Sequence, residues 1–229
     1  MSGHEAGRVV PITEEGLVSR PDGRDRLVRC IRSAGVCGVR LLDQALRCCL
    51  GIREFSNRAD CVLRVSVVRR RSTFELAEGA VLTPGDRILE LHFWNEHLAY
   101  CPNGDEPQEI FGWALCLQRR LRTSLMLLAD RAVLLEDLHK YQAVHACLVV
   151  PPKNVDRAMK RLGFETSYPE RSTSQQVHDH LKGILIGMLA WAYNPHGVRR
   201  VKQSSTVVEL WMSKSQFERL YSCRFGVWD

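Results

Sequence analysis

No stretch of this 229-residue chain approaches the about 18 uninterrupted apolar residues of a membrane-crossing helix. Met1 to Gly23 lacks a basic segment followed by an apolar one, so no secretory signal is read there. Paired cysteine spacing is missing too. The nine cysteines stand at 30, 37, 48, 49, 61, 101, 116, 147 and 223, with no C-x-x-C. Cys116 and Cys147 lie in apolar runs. The odd count and embedded positions predict reduced thiols in a cytosolic protein rather than a disulfide framework. Catalytic motifs are equally scarce. There is no G-x-S-x-G, no G-x-x-x-x-G-K-[ST] and no G-x-G-x-x-G, so neither an esterase elbow nor a nucleotide loop is supported. No internal repeat or low-complexity segment is present.

What is present in excess is positive charge. The net charge is +6, and much of it is arginine, at Arg20–Arg47, Arg69-Arg70-Arg71, Arg119-Arg120-Arg122 and Arg199-Arg200-Lys202. Such charge suits an acidic partner, whether anionic lipid, nucleic acid or a phosphorylated ligand. Trp94, Trp113, Trp191 and Trp211 sit inside apolar runs. They read as core rather than as base-stacking platforms, which argues against nucleic acid.

Hydrophobic content of 45% suffices for one sizeable core. Residues 1–24, rich in Gly, Pro and charge, read as a disordered leader. Asp25 to Ile52 carries a helical stripe of Leu27, Ile31, Ala34, Val39, Leu42, Leu46, Cys49 and Leu50, with a bend expected at Gly35 or Gly38. This stripe beside arginines fits either packing on the core or an interfacial helix on an anionic membrane. Cys61–Arg69 and Phe74–Leu76 read as strands. Pro107 opens a long helix with Phe111, Leu115, Leu121, Leu125, Leu128 and Val133 as its stripe and a break expected near Ser124 or Asp130. Ala143–Val150 suits a buried central strand. A short helix capped by Lys153 or Asn154 and stopped by Gly163 follows. Phe164–Tyr168 is a strand, Gln175–Tyr193 a helix, Ser205–Met212 a strand, and Ser213 caps a last helix to about Ser222.

The densest chemistry lies in residues 84–98. A Pro-Gly-Asp turn releases a strand on which Asp86, Ile88, Glu90 and His92 share one face and Arg87, Leu89, Leu91 and Phe93 the other. Asp86, Glu90, His92 and His97 are zinc-ligand types. No H-E-x-x-H or C-x-x-C supports a metal there, and a structural histidine bonded to backbone or carboxylate is the expected role. Asn95 suits a turn. Acid–base work would need two groups brought together, and Glu90 or His92 with Glu209 is the pairing to test. His178-Asp179-His180 opens a helix with its imidazoles diverging, and reads as solvated.

Gly85-Asp86, His92-Phe93-Trp94-Asn95, Val144–Val150, Arg161-Leu162-Gly163-Phe164, Asn194-Pro195-His196-Gly197 and Glu209-Leu210-Trp211-Met212-Ser213-Lys214 occur in that order over roughly residues 30–222. The ordered set resembles the YkoP-like domain family. The resemblance implies a domain found beside or fused to polysaccharide deacetylases and envelope-lipid genes. It carries no catalytic residue over to this chain.

The expected fold is α+β: residues 25–229 as a single domain with a small mixed or antiparallel sheet flanked by helices. The expected function is an accessory or binding domain linked to envelope lipid or polysaccharide metabolism, cytoplasmic and peripheral at the inner membrane face. Its expected partner is anionic membrane lipid or an envelope-biosynthesis enzyme. The alternative is a small hydrolase or transferase around Asp86, Glu90 and His92. Asp86, Glu90, His92, Asn95 and Glu209 are the binding candidates, with no metal assigned and the cofactor left open. A deep pocket lined by these groups would mark the enzyme. An exposed apolar and basic strip would mark the binding module.

Overall fold

A computed structural model describes residues 23–98, 107–134, 140–150, 155–169, 173–193 and 206–222. The expected leader falls almost wholly outside them, as do the cap at 153–154 and the Asn194-Pro195 stop. Helix α1 spans Gly23–Cys49 and is followed by strand β1, Leu63–Arg69. A small hairpin comes next, β2 (Phe74–Glu75) and β3 (Val81–Leu82), then β4, Arg87–Phe93. A 3-10 turn, Asn95–His97, and helix α2, Pro107–Leu134, follow. The second half alternates: β5 (Ala143–Val150), α3 (Val155–Arg161), β6 (Glu165–Ser167), α4 (Thr173–Tyr193), β7 (Thr206–Ser213) and α5 (Lys214–Tyr221).

Five strands form one mixed sheet in the order β1-β4-β5-β7-β6. Only β4 and β5 run parallel; the other neighbours are antiparallel. The continuous apolar run at 143–150 is the middle strand, as its composition requires, since a central strand has no edge to offer water. The fold is α+β with a mixed sheet, as expected.

One face of the sheet is apolar. Leu63, Val65, Leu89, Leu91, Val144, Val208, Leu210 and Met212 pack there on Leu125, Leu128 and Ala132 of α2, Leu162 and Phe164 around α3, and Phe217 and Tyr221 of α5. The other face starts with a second small core, where Leu76 and Leu82 of the hairpin cover Ile88, Ala143 and Trp211. Beyond that patch it turns polar.

Several local expectations hold for the reasons given. Ser213 Oγ accepts from Gln216 N and starts α5. Gly163 ends α3 at φ 78, a conformation that favours glycine. Helix α1 runs without interruption through Gly35 and Gly38. Gly35 instead lets α4 approach, since a Cβ there would lie 3.1 Å from the Trp191 ring. Helix α2 is unbroken at Ser124 and Asp130. Ser124 is buried because its Oγ donates to Arg120 O within the helix and accepts from Val62 N of the chain entering β1, which pins helix to sheet. The stripe on α2 reaches the core only in its second half, for Phe111 and Leu115 are exposed. The stripe on α1 also misses the core. Leu27, Ile31, Leu42 and Leu50 are exposed, while Val39 and Leu46 are half-buried. No disulfide joins the seven described cysteines; Cys101 and Cys223 lie outside the described residues.

Candidate functional site

Two polar regions sit on the second face of the sheet. The first follows from period-2 alternation and register. Ser66 pairs with Glu90 across β1 and β4, and Glu90 pairs with His145 across β4 and β5. His145 pairs with Trp211 of β7. One row therefore reads Ser66, Glu90, His145, Trp211, with His92 one step along. Ser66 Oγ lies 2.9 Å from His92 Nε2. Glu90 stands between two imidazoles, Oε2 at 3.9 Å from His92 Nε2 and Oε1 at 3.8 Å from His145 Nδ1. The His145 ring lies 4.1 Å from that of Trp211. Burial lowers the His92 pKa to about 4, so the ring is neutral at pH 7 and its approach to Glu90 is not an ion pair.

This geometry limits the chemistry. A serine activated by histidine needs the carboxylate on the other ring nitrogen, where it fixes the tautomer and balances the imidazolium. Here Ser66 and Glu90 both meet Nε2. Ser66 is also only 3% exposed, which leaves no room for a substrate carbonyl. The contact reads as a hydrogen bond that lets two polar side chains share a covered sheet face.

The remaining candidates disperse. Asp86 precedes β4, and its Oδ2 accepts from Thr83 N at 2.6 Å and Thr83 Oγ1 at 3.0 Å. It closes the turn before the strand, as short carboxylates do, and does not join Glu90 and His92. Glu209 lies on β7 on the same face, opposite Cys147, and its Oε2 accepts from Trp211 Nε1 at 3.4 Å. Strand β5 separates it from Glu90, a backbone gap of about 10 Å, so the proposed acid–base pair is not assembled. His97 is structural. Its Nδ1 donates to Cys61 O at 2.8 Å and its ring stacks on Trp94 at 3.7 Å. Among the described residues no three His, Cys, Asp or Glu side chains gather as a metal site.

The second region surrounds Arg64, whose side chain is 4% exposed. A buried guanidinium must be paired, and this one is. It donates to Glu54 at 2.9 and 3.2 Å and to Glu96 at 3.2 and 3.4 Å, and lies 4.6 Å over the Trp94 ring. Arg47 of α1 joins the same carboxylates more loosely. Its nitrogens are 3.4 Å from Asp43, 3.9 Å from Glu54 and 3.5 Å from Glu96, and its buried Nε makes no hydrogen bond. Tyr193 of α4 donates to Asp43 Oδ2 at 3.1 Å, and Arg40 lies 5.3 Å over its ring. Burial and the nearby Glu96 and Asp43 charges raise the Tyr193 pKa to about 12. The network ties α1 and α4 to the end of β4.

Two open clefts flank it. One of about 380 Å³ is lined by Arg40, Gln44, Arg47, Asn95, Glu96 and Tyr193. Its neighbour, about 550 Å³, shares Gln44, Arg47 and Glu96 and adds Glu54, Arg64 and Trp94. Of the five sequence candidates, only Asn95 reaches either. Sequence reasoning missed Arg47, Arg64 and Tyr193 because their partners lie up to 150 positions away. The one local signal was Arg64, alternating with Ser66 against the valines of β1.

No curated protein and no solved structure matches the chain. Residues 34–221 match the YkoP domain. That span runs from the middle of α1 through α5 and takes in the whole sheet and both polar regions, so the chain belongs to the YkoP domain family.

Proposed function

We propose that this chain is a binding domain that docks on an anionic membrane surface through α1. The observation that carries the reading is the exposed apolar side of that helix. Val36, Val39, Asp43 and Leu46 turn toward the body and are buried or half-buried. The opposite side presents Leu27, Ile31 and Leu41, each more than 60% exposed, and Leu42 at 42%. Val177, Leu181 and Ile184 of α4, the helix packed against α1, are exposed as well. The occupant follows from charge. Helix α1 carries six arginines against two aspartates. Arg40 and Arg47 turn toward the body, so the attraction rests on the net positive charge of the helix, which acts across a helix diameter of about 10–12 Å, comparable to the screening length of about 10 Å at 0.1 M salt. A second copy would bring two such helices together and repel. An anionic bilayer attracts the arginines and accepts the leucines. No helix among the described residues is long and apolar enough to cross a membrane, so the contact would be peripheral.

A role beside envelope lipid or polysaccharide enzymes, at the inner membrane face, fits such docking and is part of this proposal. The full chain should co-sediment with phosphatidylglycerol vesicles, not with phosphatidylcholine vesicles, and should release at high salt. Equal binding to both, or to neither, overturns the electrostatic reading. A salt-insensitive dimer without vesicle binding would assign the stripe to a second copy. The alternative of a small hydrolase or transferase at Asp86, Glu90 and His92 has one observation in its favour, the Ser66–His92 contact. Neither cleft is lined by those residues.

A further inference from the structure

We infer that the paired clefts around Arg47 bind a neutral polyhydroxylated ligand of the saccharide or cyclitol class. The argument is independent of membrane docking and starts from charge balance. Arg47 and Arg64 face Asp43, Glu54 and Glu96, and Arg40 lies over the Tyr193 ring, so among the described residues the walls and their immediate partners hold three arginines and three carboxylates. A phosphate placed against Arg47 would also meet the three carboxylates that surround it. An ammonium group placed against Glu96 would meet Arg47 and Arg64. Either charge is repelled as strongly as it is attracted, and neither is selected.

Hydrogen-bonding capacity points the other way. Arg64 is satisfied by short bonds to Glu54 and Glu96. Arg47 is not. Its three carboxylate neighbours stand at 3.4 to 3.9 Å, and with Nε buried out of a ligand's reach the donors it turns to the clefts are the terminal nitrogens. Arg47, Glu96 and Gln44 form the wall common to both clefts. That wall offers guanidinium donors, a carboxylate acceptor and an amide that does both. A hydroxyl group both donates and accepts. A vicinal diol can therefore accept from Arg47 and donate to Glu96 at once, while a second ring reaches Asn95 in the first cleft. The clefts are open, and their volumes suit one sugar ring each with solvent left at the rim.

The probes are chitotriose, maltotriose and myo-inositol, with inorganic phosphate as the anionic arm, read by saturation-transfer NMR on the full chain. At least one neutral probe should bind saturably, with Kd of about 1 mM, and phosphate should not compete. Gln44 is exposed and outside the ion pairs, so Gln44→Ala should keep the melting temperature and weaken binding about fivefold, the loss of one hydrogen bond. Glu96→Gln, which keeps the shape but weakens the acceptor, should weaken it further. Binding of phosphate, absence of signal from every neutral probe, or unchanged affinity in folded Gln44→Ala and Glu96→Gln proteins overturns the assignment.

Discussion

Leu89 and Glu90 are neighbours in β4 and face opposite sides of one sheet. Leu89 is fully buried between the strands and α2. Glu90 is half-buried between two histidines. The same alternation repeats along β1, where Val65 faces the apolar core while Arg64 and Ser66 face the polar side. The two faces differ in how fully they are covered and in what covers them. The apolar face is closed by three helices that bring mostly hydrocarbon, with the Ser124 and Tyr221 hydroxyls each hydrogen-bonded. The second face is closed at one end by the β2–β3 hairpin and at the other by α1, the 3-10 turn and α4, which bring charge. Burial on the first face contributes stability directly. Burial on the second is neutral at best unless each polar group finds its partner, and Arg64 shows how fully that demand is met.

Substitutions rank this contrast. Leu89→Ala should cost about 3 kcal/mol by urea unfolding, because the surrounding core cannot collapse on the gap. A loss below about 1 kcal/mol would mean the apolar face is loosely packed. Arg64→Ala should cost about 2 kcal/mol, less than a fully buried pair, because Glu54 remains half-exposed and can recover water. If the cost equals that of Leu89→Ala, the polar face is as closed as the apolar one.

The His92 effect depends on pH. Its folded pKa of about 4 is below the usual 6.5, so between those values the unfolded chain binds more protons. The histidine's contribution is present above about pH 6.5 and is lost as pH falls through that value toward 4. Wild type should lose about 2 kcal/mol more than His92→Gln between pH 7 and pH 4. Parallel profiles would show that the ring titrates as in water. Asp86→Ala removes two hydrogen bonds in an exposed turn and should cost about 1 kcal/mol. Leu27→Ser with Leu41→Ser should change stability least, within about 0.5 kcal/mol each, since both side chains are already in water. The same pair should abolish vesicle binding. A large loss of stability would instead show that the stripe is covered within the fold.

Much of the architecture was legible locally. Alternation in 87–93 gave both faces of β4 correctly, the run at 143–150 gave the middle strand, and Ser213 and Gly163 marked their helix ends. The candidate residues fared less well. Glu90 and His92 do lie side by side. Asp86, sharing their alternation on paper, turns out to close the preceding turn, and Glu209 is held off by an intervening strand. His145 was hidden as one polar residue in an apolar run, and only the parallel register of β4 and β5 brings it to Glu90.

The amino-acid sequence by itself determined where most of the strands and helices form, β3 and the 3-10 turn aside, which side of β4 is apolar, and the excess of arginine in α1. Each of these depends on residues within a turn or two of one another, where periodicity and capping act. Only the tertiary structure decided that α1 leaves its apolar side in solvent, and that Arg47, Arg64, Glu54, Glu96 and Tyr193 converge on two clefts. Those outcomes depend on which helix packs against which strand end. A helical stripe reads the same whether a core, a membrane or water lies beneath it, and a buried arginine is recognised only by partners that the chain brings from far away.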